Sequence, residues 1–309
     1  MKTQQQGTAL VTALLVVAIA SIAAAGLLER QRIDVRRTDN VLTIDQAFIY
    51  ARAAETWAGQ VLLKDVAENK TDSLLDRWSA LLEPIPIEGG ALTAQVFDQQ
   101  GRFNLNNLVD ASGQASNKDI AAFERLLTAL ELDVAIAGAV ADWMDADINT
   151  HPTGAEDVEY LGLDTPYRTS NLPLASVSEL RRIRGISAQA YNKLSPYVTV
   201  LPARSKVNVN TAEIPVLMAV VKGLDESGAA GIIEQRAGEP FADESSFRGQ
   251  QALDGLEVGE ISVDSHYYMI EATVRYGRSR VRQHTLIERK DENGQASIIV
   301  LARSRGGLS

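Results

Sequence analysis

An uncharged segment close to the first residue constrains this chain more than any other feature of its sequence. A polar leader, in which Lys2 is the only charged residue, ends at Gly7, and the 21 residues from Thr8 to Leu28 contain no charged side chain. A helix rises about 1.5 Å per residue, so this segment matches the ~30 Å hydrocarbon core of a bilayer. A helix also satisfies its own backbone hydrogen bonds, as lipid requires. The sequence therefore predicts a membrane-spanning helix at its start.

Three interpretations of this segment are open. They are an uncleaved anchor, a secretory signal peptide cut near residues 23–25, and a prepilin-type leader cut between Gly7 and Thr8. The third is favoured, because Gly7 directly precedes the apolar run and the helical pattern continues beyond it. Residues 29–66 contain no proline and a single glycine, Gly59, so one helix is expected from about residue 8 to about residue 66. Apolar residues at helical spacing are expected to share one face of this helix: Val41, Ile44, Phe48, Ala51 and Ala58.

Composition restricts the remaining classes of function. The chain has 309 residues, of which 45% are hydrophobic, so it can build a substantial core outside a membrane. It has no cysteine, which excludes disulfides and cysteine-ligated zinc sites. Its formal net charge is -10, which disfavours general DNA binding, because such binding depends on Lys and Arg neutralising phosphates.

Enzymatic function finds little support in the sequence. The chain lacks Walker, GxGxxG, GxSxG and HExxH motifs, and its three histidines are widely separated at His151, His266 and His284. We therefore expect a protein that is not an enzyme. A Ser–His–Asp arrangement created by folding is the alternative that sequence leaves open.

Hydrophobic periodicity divides the body of the chain into strands and helices. Alternation predicts strands over 91–98 and 102–105 and again within 266–302, where Asn293-Gly294 is a hairpin signal. Between these strands lie segments with helical spacing. They are 118–131, 134–144, 188–194, 213–221 and 227–236, and a further short helix is expected over 73–82. The sequence predicts an α+β fold in which strands bracket a helical insertion.

A cluster of acidic residues occupies the middle of the chain. Between Asp142 and Asp164 there are seven carboxylates and no Lys or Arg. So many like charges in one loop repel each other unless a cation holds them or they spread into solvent. Oxygen donors of this kind suit Ca²⁺. A calcium site and a solvated acidic loop are therefore the two interpretations.

The acidic cluster only partly matches an EF-hand loop. Four residues have the spacing of loop positions one, three, five and twelve: Asp145, Asp147, Asn149 and Glu156. Position six is Thr150 instead of glycine, and Pro152 lies inside the loop. The sharp EF-hand turn requires that glycine, so an EF-hand is not predicted.

Five segments spread along the chain carry a family resemblance. They are QQQG-TALVTALL at the start, GRFNLNNL at 101–108, DWMDADINTHPTGAEDVEYL at 142–161, YRTSNLPLASVSELRRIRGI at 167–186 and SKVNVNTAEIPVLMAV at 205–220. In these segments the chain resembles the K-type minor pseudopilins of the bacterial type II secretion system. The resemblance covers essentially the whole chain.

The resemblance implies a pilin-like fold in agreement with the pattern above. A long N-terminal helix packs on a small antiparallel sheet, and a large α-helical domain is inserted between strands. The expected parts are a leader at 1–7, the transmembrane part of the helix at 8–28, the rest of the helix and first strands at 29–109, the inserted helical domain at 110–262 and the C-terminal strands at 263–309.

The resemblance also implies a processing pathway and partners. A prepilin peptidase would cleave between Gly7 and Thr8 and N-methylate Thr8. The chain would be a single-pass protein of the inner membrane with its C-terminal domain in the periplasm. Its expected partners are the I-, J- and H-type minor pseudopilins, bound through the N-terminal helix, the inner-membrane assembly platform and secreted substrates. Nucleic acid is not among them.

Thr12 occupies a position that carries glutamate in the major pilins. That carboxylate is thought to pair with the N-terminal amine of a neighbouring subunit, because an unpaired charge in the membrane costs at least ~2.5–3.5 kcal/mol. A subunit with Thr12 has no such carboxylate, so we expect it at the pseudopilus tip, where it would help to initiate and limit assembly for export of folded proteins across the outer membrane. Thr12 as a merely tolerated small residue is the alternative.

The K-type pseudopilins bind Ca²⁺ within the acidic segment, so the resemblance favours a structural calcium site. It adds Asn171 as an oxygen donor. The expected ligands are Asp145, Asp147, Glu156 and Asp157, followed by Asn171 and Asp142.

Two helix–glycine–helix units around Gly185 and Gly223 suggest a rival function. They resemble helix-hairpin-helix modules, which bind the DNA backbone, so a membrane-anchored DNA-binding or uptake protein is the alternative. However, the second glycine position of such hairpins is Ser187 in one unit and Asp225 in the other. An aspartate repels phosphate, so we interpret both units as structural helices.

Overall fold

A computed structural model describes residues 5–81, 83–292 and 295–306, with backbone only at 5–7 and 292. The first residues of the predicted leader and the turn residues Asn293-Gly294 lie outside this range. The described α-helices are α1 (Gln5–Glu68), α2 (Asn117–Ala129), α3 (Ala135–Met144), α4 (Asp157–Leu161), α5 (Ala188–Leu194), α6 (Ile214–Val220), α7 (Glu226–Gly238) and α8 (Glu244–Arg248). Short 3-10 helices span Leu105–Leu108, Val177–Arg182, Ser195–Tyr197 and Gln251–Leu253.

The described strands form one larger sheet and three short pairs. They are β1 (Ile85–Ile87), β2 (Gly90–Asp98), β3 (Phe103–Asn104), β4 (Val198–Thr199), β5 (Val207–Asn208), β6 (Val221–Lys222), β7 (Glu257–Val258), β8 (Ile261–Ser262), β9 (Tyr267–Tyr276), β10 (Ser279–Glu292) and β11 (Gln295–Arg305). The five-stranded sheet is antiparallel in the order β1-β2-β9-β10-β11. Because β2 pairs with β9, everything between them is inserted into this sheet, which confirms the predicted α+β architecture.

The long helix α1 packs on the sheet through small side chains. Its buried apolar side chains follow steps of three and four: Ala47, Ala51, Ala54, Ala58 and Leu62. Alanines allow the helix axis to approach the sheet closely. Val41 and Ile44, which the sequence pattern assigned to the same face, are exposed. The buried face begins only at Ala47, so the pattern was right about the helix and wrong about where its contacts start.

The N-terminal part of α1 projects away from this packing. From Thr8 onward, α1 is the one described helix that is long and apolar enough to cross a membrane, judged by length and composition. Its most apolar window has a mean hydropathy of 2.5, and none of that window is buried within the chain.

The inserted unit has its own core, separate from the two apolar clusters between α1 and the sheet. Phe103, Leu105 and Leu108 already pack in this core. The strand predicted over 102–105 was expected to belong to the main sheet, and this is wrong. The short strand found there, β3, pairs in parallel with β4 of the inserted unit. Judged by which core its residues pack in, the inserted unit begins soon after Asp98, earlier than the predicted boundary at residue 110.

The predicted helix over 73–82 is also wrong in its described part, which consists of turns. The Ser73 backbone N–H donates to Asp76 Oδ2 at 2.6 Å, and the Leu75 N–H donates to Ser73 Oγ at 3.2 Å. Short polar side chains that bond nearby backbone groups in this way compete with helix formation.

Candidate functional site

The acidic segment joins the end of α3 to the start of α4. Helix α3 is small and apolar, and its residues from Ile136 to Met144 are buried, including Asp142. Asp145 follows as the C-terminal cap, and Glu156 is the N-terminal cap of α4. Two helix ends therefore bring three of the predicted acidic ligands into the interior of the inserted unit.

Asp142 is held by the loop that separates the two helices. The backbone N–H of His151 lies 3.1 Å from both Asp142 carboxylate oxygens. Gly154 packs so closely that a β-carbon there would lie 1.8 Å from Asp142 Oδ2. Burial raises the pKa of Asp142, and the His151 N–H partly offsets this effect. Sequence reasoning did not identify His151 or Gly154, because a backbone donor and a close approach leave no side-chain signal.

Three buried oxygens in this region receive no hydrogen bond. They belong to Asp145 (Oδ1), Glu156 (Oε1) and Asn171 (Oδ1). The Asp145 and Glu156 residues are only 3% and 4% exposed. Leaving a buried polar oxygen unpaired costs roughly 1–3 kcal/mol, and more for a charged group. Such a set of oxygens is suited to a cation.

Asn171 reaches this region through an uncommon backbone conformation. Its φ is 47°, which is rare for residues other than glycine, and its N–H donates to the Trp143 carbonyl at 3.0 Å. The bond places Asn171 beside the end of α3 although it lies far along the sequence. The asparagine that the family resemblance suggested is thus brought to the acidic segment by tertiary contacts.

Burial and mutual repulsion shift the titration of these acids. Burial, together with repulsion from Asp147 and Asp142, raises the pKa of Asp145 to about 6. Burial also raises the pKa of Glu156 to about 7, with added repulsion from Asp142 and Asp145. These carboxylates are therefore close enough to oppose one another's ionisation, a cost that a bound divalent cation would relieve.

Asp147 and Asp157 have other contacts. Asp147 is exposed, and its Oδ1 accepts a hydrogen bond from the Asn149 N–H at 2.7 Å. Asp157 Oδ1 accepts from the N–H and the hydroxyl of Thr169, at 3.0 and 2.9 Å. Asp157 therefore fixes the extended segment that leads to Asn171, and Asp147 lies at the solvent side of the loop.

An aromatic cluster connects α3, α4 and the segment that follows α4. Trp143, Tyr160 and Tyr167 have ring centroids 5.3 to 6.1 Å apart. The Tyr167 hydroxyl donates to the Arg182 carbonyl at 2.7 Å, and the Tyr160 hydroxyl accepts from the Arg184 N–H at 3.1 Å. These contacts position α4, and with it Glu156.

The donor set suits Ca²⁺ by its chemistry. All available ligand atoms are oxygens, from carboxylates and one amide. Within the fully described segment 142–171, no three acidic side chains bring one oxygen each within 4.8 Å of one another. A ligand set here would therefore include a neutral donor such as the Asn171 amide oxygen, together with Asp145 and Glu156.

Thr12, in the apolar part of α1, satisfies its own polar group. Its hydroxyl donates to the carbonyls of Thr8 and Ala9, at 3.1 and 3.0 Å. A hydroxyl bonded within its own helix places no demand on a neighbouring subunit, whereas a carboxylate would. Gly7 and Thr8, the predicted processing residues, lie in the first turns of α1.

The two helix–glycine–helix units differ from phosphate-binding hairpins at the second glycine position, which is Ser187 in one unit and Asp225 in the other. Gly185 and Gly223 have φ of 83° and 90°, as tight turns of this kind require. Ser187 caps α5 by accepting from the Ala190 N–H at 3.1 Å. Asp225 caps α7 in the same way, so a negative side chain occupies the helix end that a phosphate would approach. This arrangement disfavours DNA binding.

Each histidine faces a different group. His151 Nδ1 lies 3.5 Å from Thr153 Oγ1. His266 Nε2 lies 3.5 Å from Asp264, and His284 Nε2 lies 3.4 Å from Glu271. These pairs are separate, and none joins a serine hydroxyl to a histidine that is oriented by an acid, which is the arrangement a hydrolase of this type needs.

Comparison with known proteins agrees with the fold. Two family models, both described as type II secretion system protein K, match residues 101–203 and 207–265. Type II secretion system protein K of Pseudomonas aeruginosa is 35% identical over 100% of this chain and 96% of that protein. The protein of the same name from Aeromonas hydrophila is 32% identical over 98% of both chains.

A solved structure extends the comparison to three dimensions. The chain superposes with a TM-score of 0.77 and 25% identity on a chain from the crystal structure of the GspK-GspI-GspJ complex of enterotoxigenic Escherichia coli. The match covers 88% of this chain and 99% of that one. The long anchor helix, the sheet and the inserted helical unit are thus those of a minor pseudopilin, and the chain belongs to the type II secretion system protein K family.

Proposed function

We propose that this pseudopilin is a non-enzymatic subunit that caps the tip of the pseudopilus and helps to initiate and limit its assembly, for export of folded proteins across the outer membrane. The observation that carries the tip position is Thr12, whose hydroxyl is satisfied within α1. With no carboxylate at this position, the chain has no charge for the amine of a subunit above it to neutralise.

The inserted unit supports the same position by its bulk. It occupies the chain between β2 and β9 and has its own core. Since a fibre grows by helix packing, a subunit this large fits best where no other subunit follows. The function in assembly is therefore to begin or end a fibre.

The partners proposed for this chain are the I-, J- and H-type minor pseudopilins, bound through α1. Support comes from the first part of α1, whose side chains from Thr8 to Leu42 are exposed in the isolated chain. It also comes from the structural neighbour, which was crystallised in a GspK-GspI-GspJ complex. The assembly platform and secreted substrates complete the proposed set.

The proposed location is the inner membrane, with one span and a periplasmic C-terminal domain. Processing would cut between Gly7 and Thr8 and N-methylate Thr8. Intact mass and N-terminal sequencing of the protein from its own membranes test this step. A start at N-methylated Thr8 supports it, whereas a start at Gly26 or at Met1 contradicts it.

Counting copies in isolated pseudopili tests the tip position. Quantitative mass spectrometry would compare this chain with the major pseudopilin in fibres of different mean length. A tip subunit stays at a constant number per fibre while the major subunit increases. A copy number that rises in proportion to fibre length would contradict capping.

The acidic segment is proposed to hold a structural Ca²⁺. Asp145, Glu156 and Asn171 would supply oxygens, with Asp142 behind them and Asp147 at the solvent side. The ion would neutralise the buried carboxylates and staple the loop between α3 and α4, which matters in a chain that has no disulfides. Asp157 would act by positioning the segment that carries Asn171.

A further inference from the structure

A second group of carboxylates lies outside the acidic loop, at the C-terminal end of α1. Asp65 belongs to the last turns of this helix, and Asp72 and Asp76 belong to the turn segment that follows. One oxygen of each lies within 4.8 Å of the others. In the described part of the chain, no other three Asp, Glu or His side chains meet this closely. We call these three residues the junction carboxylates.

A single buried cation, Arg289 of β10, faces the junction carboxylates. Its Nη2 lies 2.5 Å from Asp72 Oδ2, whereas its Nη1 is 3.8 Å from Asp65 Oδ2. Asp72 also accepts from the Tyr268 hydroxyl at 2.5 Å and from the Ser265 N–H at 2.8 Å. Three carboxylates against one guanidinium leave two negative charges uncompensated.

The other cations nearby lie on the solvent side. Lys64 is exposed and faces Glu68 at 3.7 Å, and Arg77 is exposed. Surface charges of this kind are hydrated and screened, so they offset a buried charge weakly.

Asp65 presents to this group an oxygen that accepts no hydrogen bond. The residue is 7% exposed, and its Oδ2 has no hydrogen-bond partner. The Asn69 amide donates only to Oδ1, at 3.1 Å. A buried carboxylate oxygen without a donor destabilises the folded state unless a proton or a cation compensates it.

We propose that the junction carboxylates bind a divalent cation of the oxygen-preferring class, such as Ca²⁺. Its charge equals the two negative charges that Arg289 leaves uncompensated. Asp65, Asp72 and Asp76 would each supply a carboxylate oxygen, which is the donor type that hard cations prefer. The site is separate from the acidic loop and does not depend on the proposed function.

The position of the site gives the cation a structural role. The Asp72 N–H donates to the Val263 carbonyl at 2.9 Å, and the Asn208 amide donates to the Asp72 carbonyl at 3.0 Å. Asp72 therefore touches the inserted unit while its side chain is bound to β9 and β10. A cation shared with Asp65 would fix the end of α1 to the place where the inserted unit leaves the sheet.

Calcium titration of the full chain in detergent micelles tests the proposal. The background is a variant with Asp145→Asn and Glu156→Gln, which removes the two buried loop acids proposed as Ca²⁺ ligands. Calorimetry is run at pH 7.5 after chelator treatment. Burial, together with repulsion from Asp76 and Asp72, raises the pKa of Asp65 to about 6, so Asp65 is ionised at pH 7.5. We expect one equivalent of Ca²⁺ to bind.

The decisive comparison adds Asp65→Asn to this background. We expect at least tenfold weaker binding, whereas Asp45→Asn, the same change at an exposed position of α1, should leave binding unchanged. Asp65→Asn should also raise the melting temperature in chelator, because it removes a buried charge, while abolishing the rise on adding Ca²⁺. A purely structural role for Asp65 would not both raise the melting temperature in chelator and abolish its increase on adding Ca²⁺.

Two results would overturn the proposal. One is the absence of saturable binding in the background variant, and the other is equal affinity in the Asp65→Asn and Asp45→Asn chains. If the background variant does not fold, the number of Ca²⁺ ions bound per chain is measured with Asp145 and Glu156 unchanged. Asp65→Asn should then bind one equivalent fewer than Asp45→Asn, and equal numbers would contradict the site.

Discussion

Buried oxygens without donors are the residue-scale feature that distinguishes the acidic segment from a solvated loop. A solvated loop spreads its carboxylates into water, whereas here Asp145 and Glu156 are buried with one free oxygen each. Only some of the seven acids behave in this way, since Asp147 and Asp164 are exposed. The burial of particular acids therefore favours the calcium interpretation over the solvated one.

Glu156→Gln tests that interpretation at a single residue. The change keeps the size of the side chain but removes a charge from the proposed ligand set, so Ca²⁺ affinity should fall about tenfold or more. Asp164→Asn makes the same charge change at an exposed position of the segment and should leave affinity unchanged. Calorimetric titration measures both variants, and equal affinities would contradict a role for Glu156.

The raised pKa values predict how stability depends on pH in chelator. Burial lifts the pKa of Asp145 from 3.8 to about 6 and that of Glu156 from 4.5 to about 7. The folded state thus holds protons that the unfolded state releases, so these groups lower the melting temperature as pH rises from about 4 to about 7. Adding Ca²⁺ should reverse most of this loss at pH 7.5.

The control for this pH dependence is the Asp145→Asn/Glu156→Gln variant. Its melting temperature in chelator should fall less steeply over the same pH range. Some slope should persist, because burial also raises the pKa of Asp98 and Asp65 to about 6. If the melting temperature changed equally with pH in the variant and in the unchanged chain, the loop acids would not control the pH dependence of stability.

At the scale of elements, α1 combines two different environments in one continuous helix. Its first part is apolar and exposed, as a membrane span or a fibre contact needs, and its later part presents small residues to the sheet. No proline interrupts it, so one rigid rod connects the anchor to the folded body.

The alanine face of α1 gives a prediction about packing. Ala51 is fully buried between the helix and the sheet, near Leu92 and Val274. Ala51→Leu inserts volume that the sheet cannot absorb, so the free energy of unfolding should fall by about 1–3 kcal/mol. Ala53→Leu, on the exposed face, is the control and should change it little. Thermal unfolding compares the two, and equal stability would contradict close helix–sheet packing.

At the scale of the whole molecule, one polar cluster links all the parts. Arg289 lies on β10 and binds Asp72, and Asp72 in turn meets Val263 and Asn208 of the inserted unit. The anchor helix, the sheet and the insertion therefore share buried charges as well as apolar contacts. The relative position of these parts depends on keeping those charges paired.

Replacing Arg289 should therefore destabilise the entire fold. Arg289→Met leaves the junction carboxylates buried without a guanidinium, which should cost about 3–5 kcal/mol. Arg282→Met, at an exposed position of the same strand, should cost far less. Thermal unfolding in chelator measures both, and similar losses would argue against the cluster as a junction. If the site binds Ca²⁺, the ion should restore part of the Arg289→Met loss.

The sequence alone determined the features that depend on neighbours in the chain. The uncharged run, the continuous helix, the helical segments of the insertion and the acidic segment all follow from local composition and periodicity. The insertion of a helical unit between strands followed as well, because strand-like alternation lies on both sides of the helical segments. Motif similarity added the family and Asn171.

Tertiary structure decided the features that depend on distant contacts. It selected which acids are buried, because Asn171 and α4 fold back onto the end of α3. It turned residues 73–81 into a series of turns and moved β3 out of the main sheet. It also assembled the junction carboxylates against Arg289, more than two hundred residues away in the chain. Burial and charge pairing depend on contacts between residues that are distant in the chain, so they cannot be predicted from the local sequence pattern.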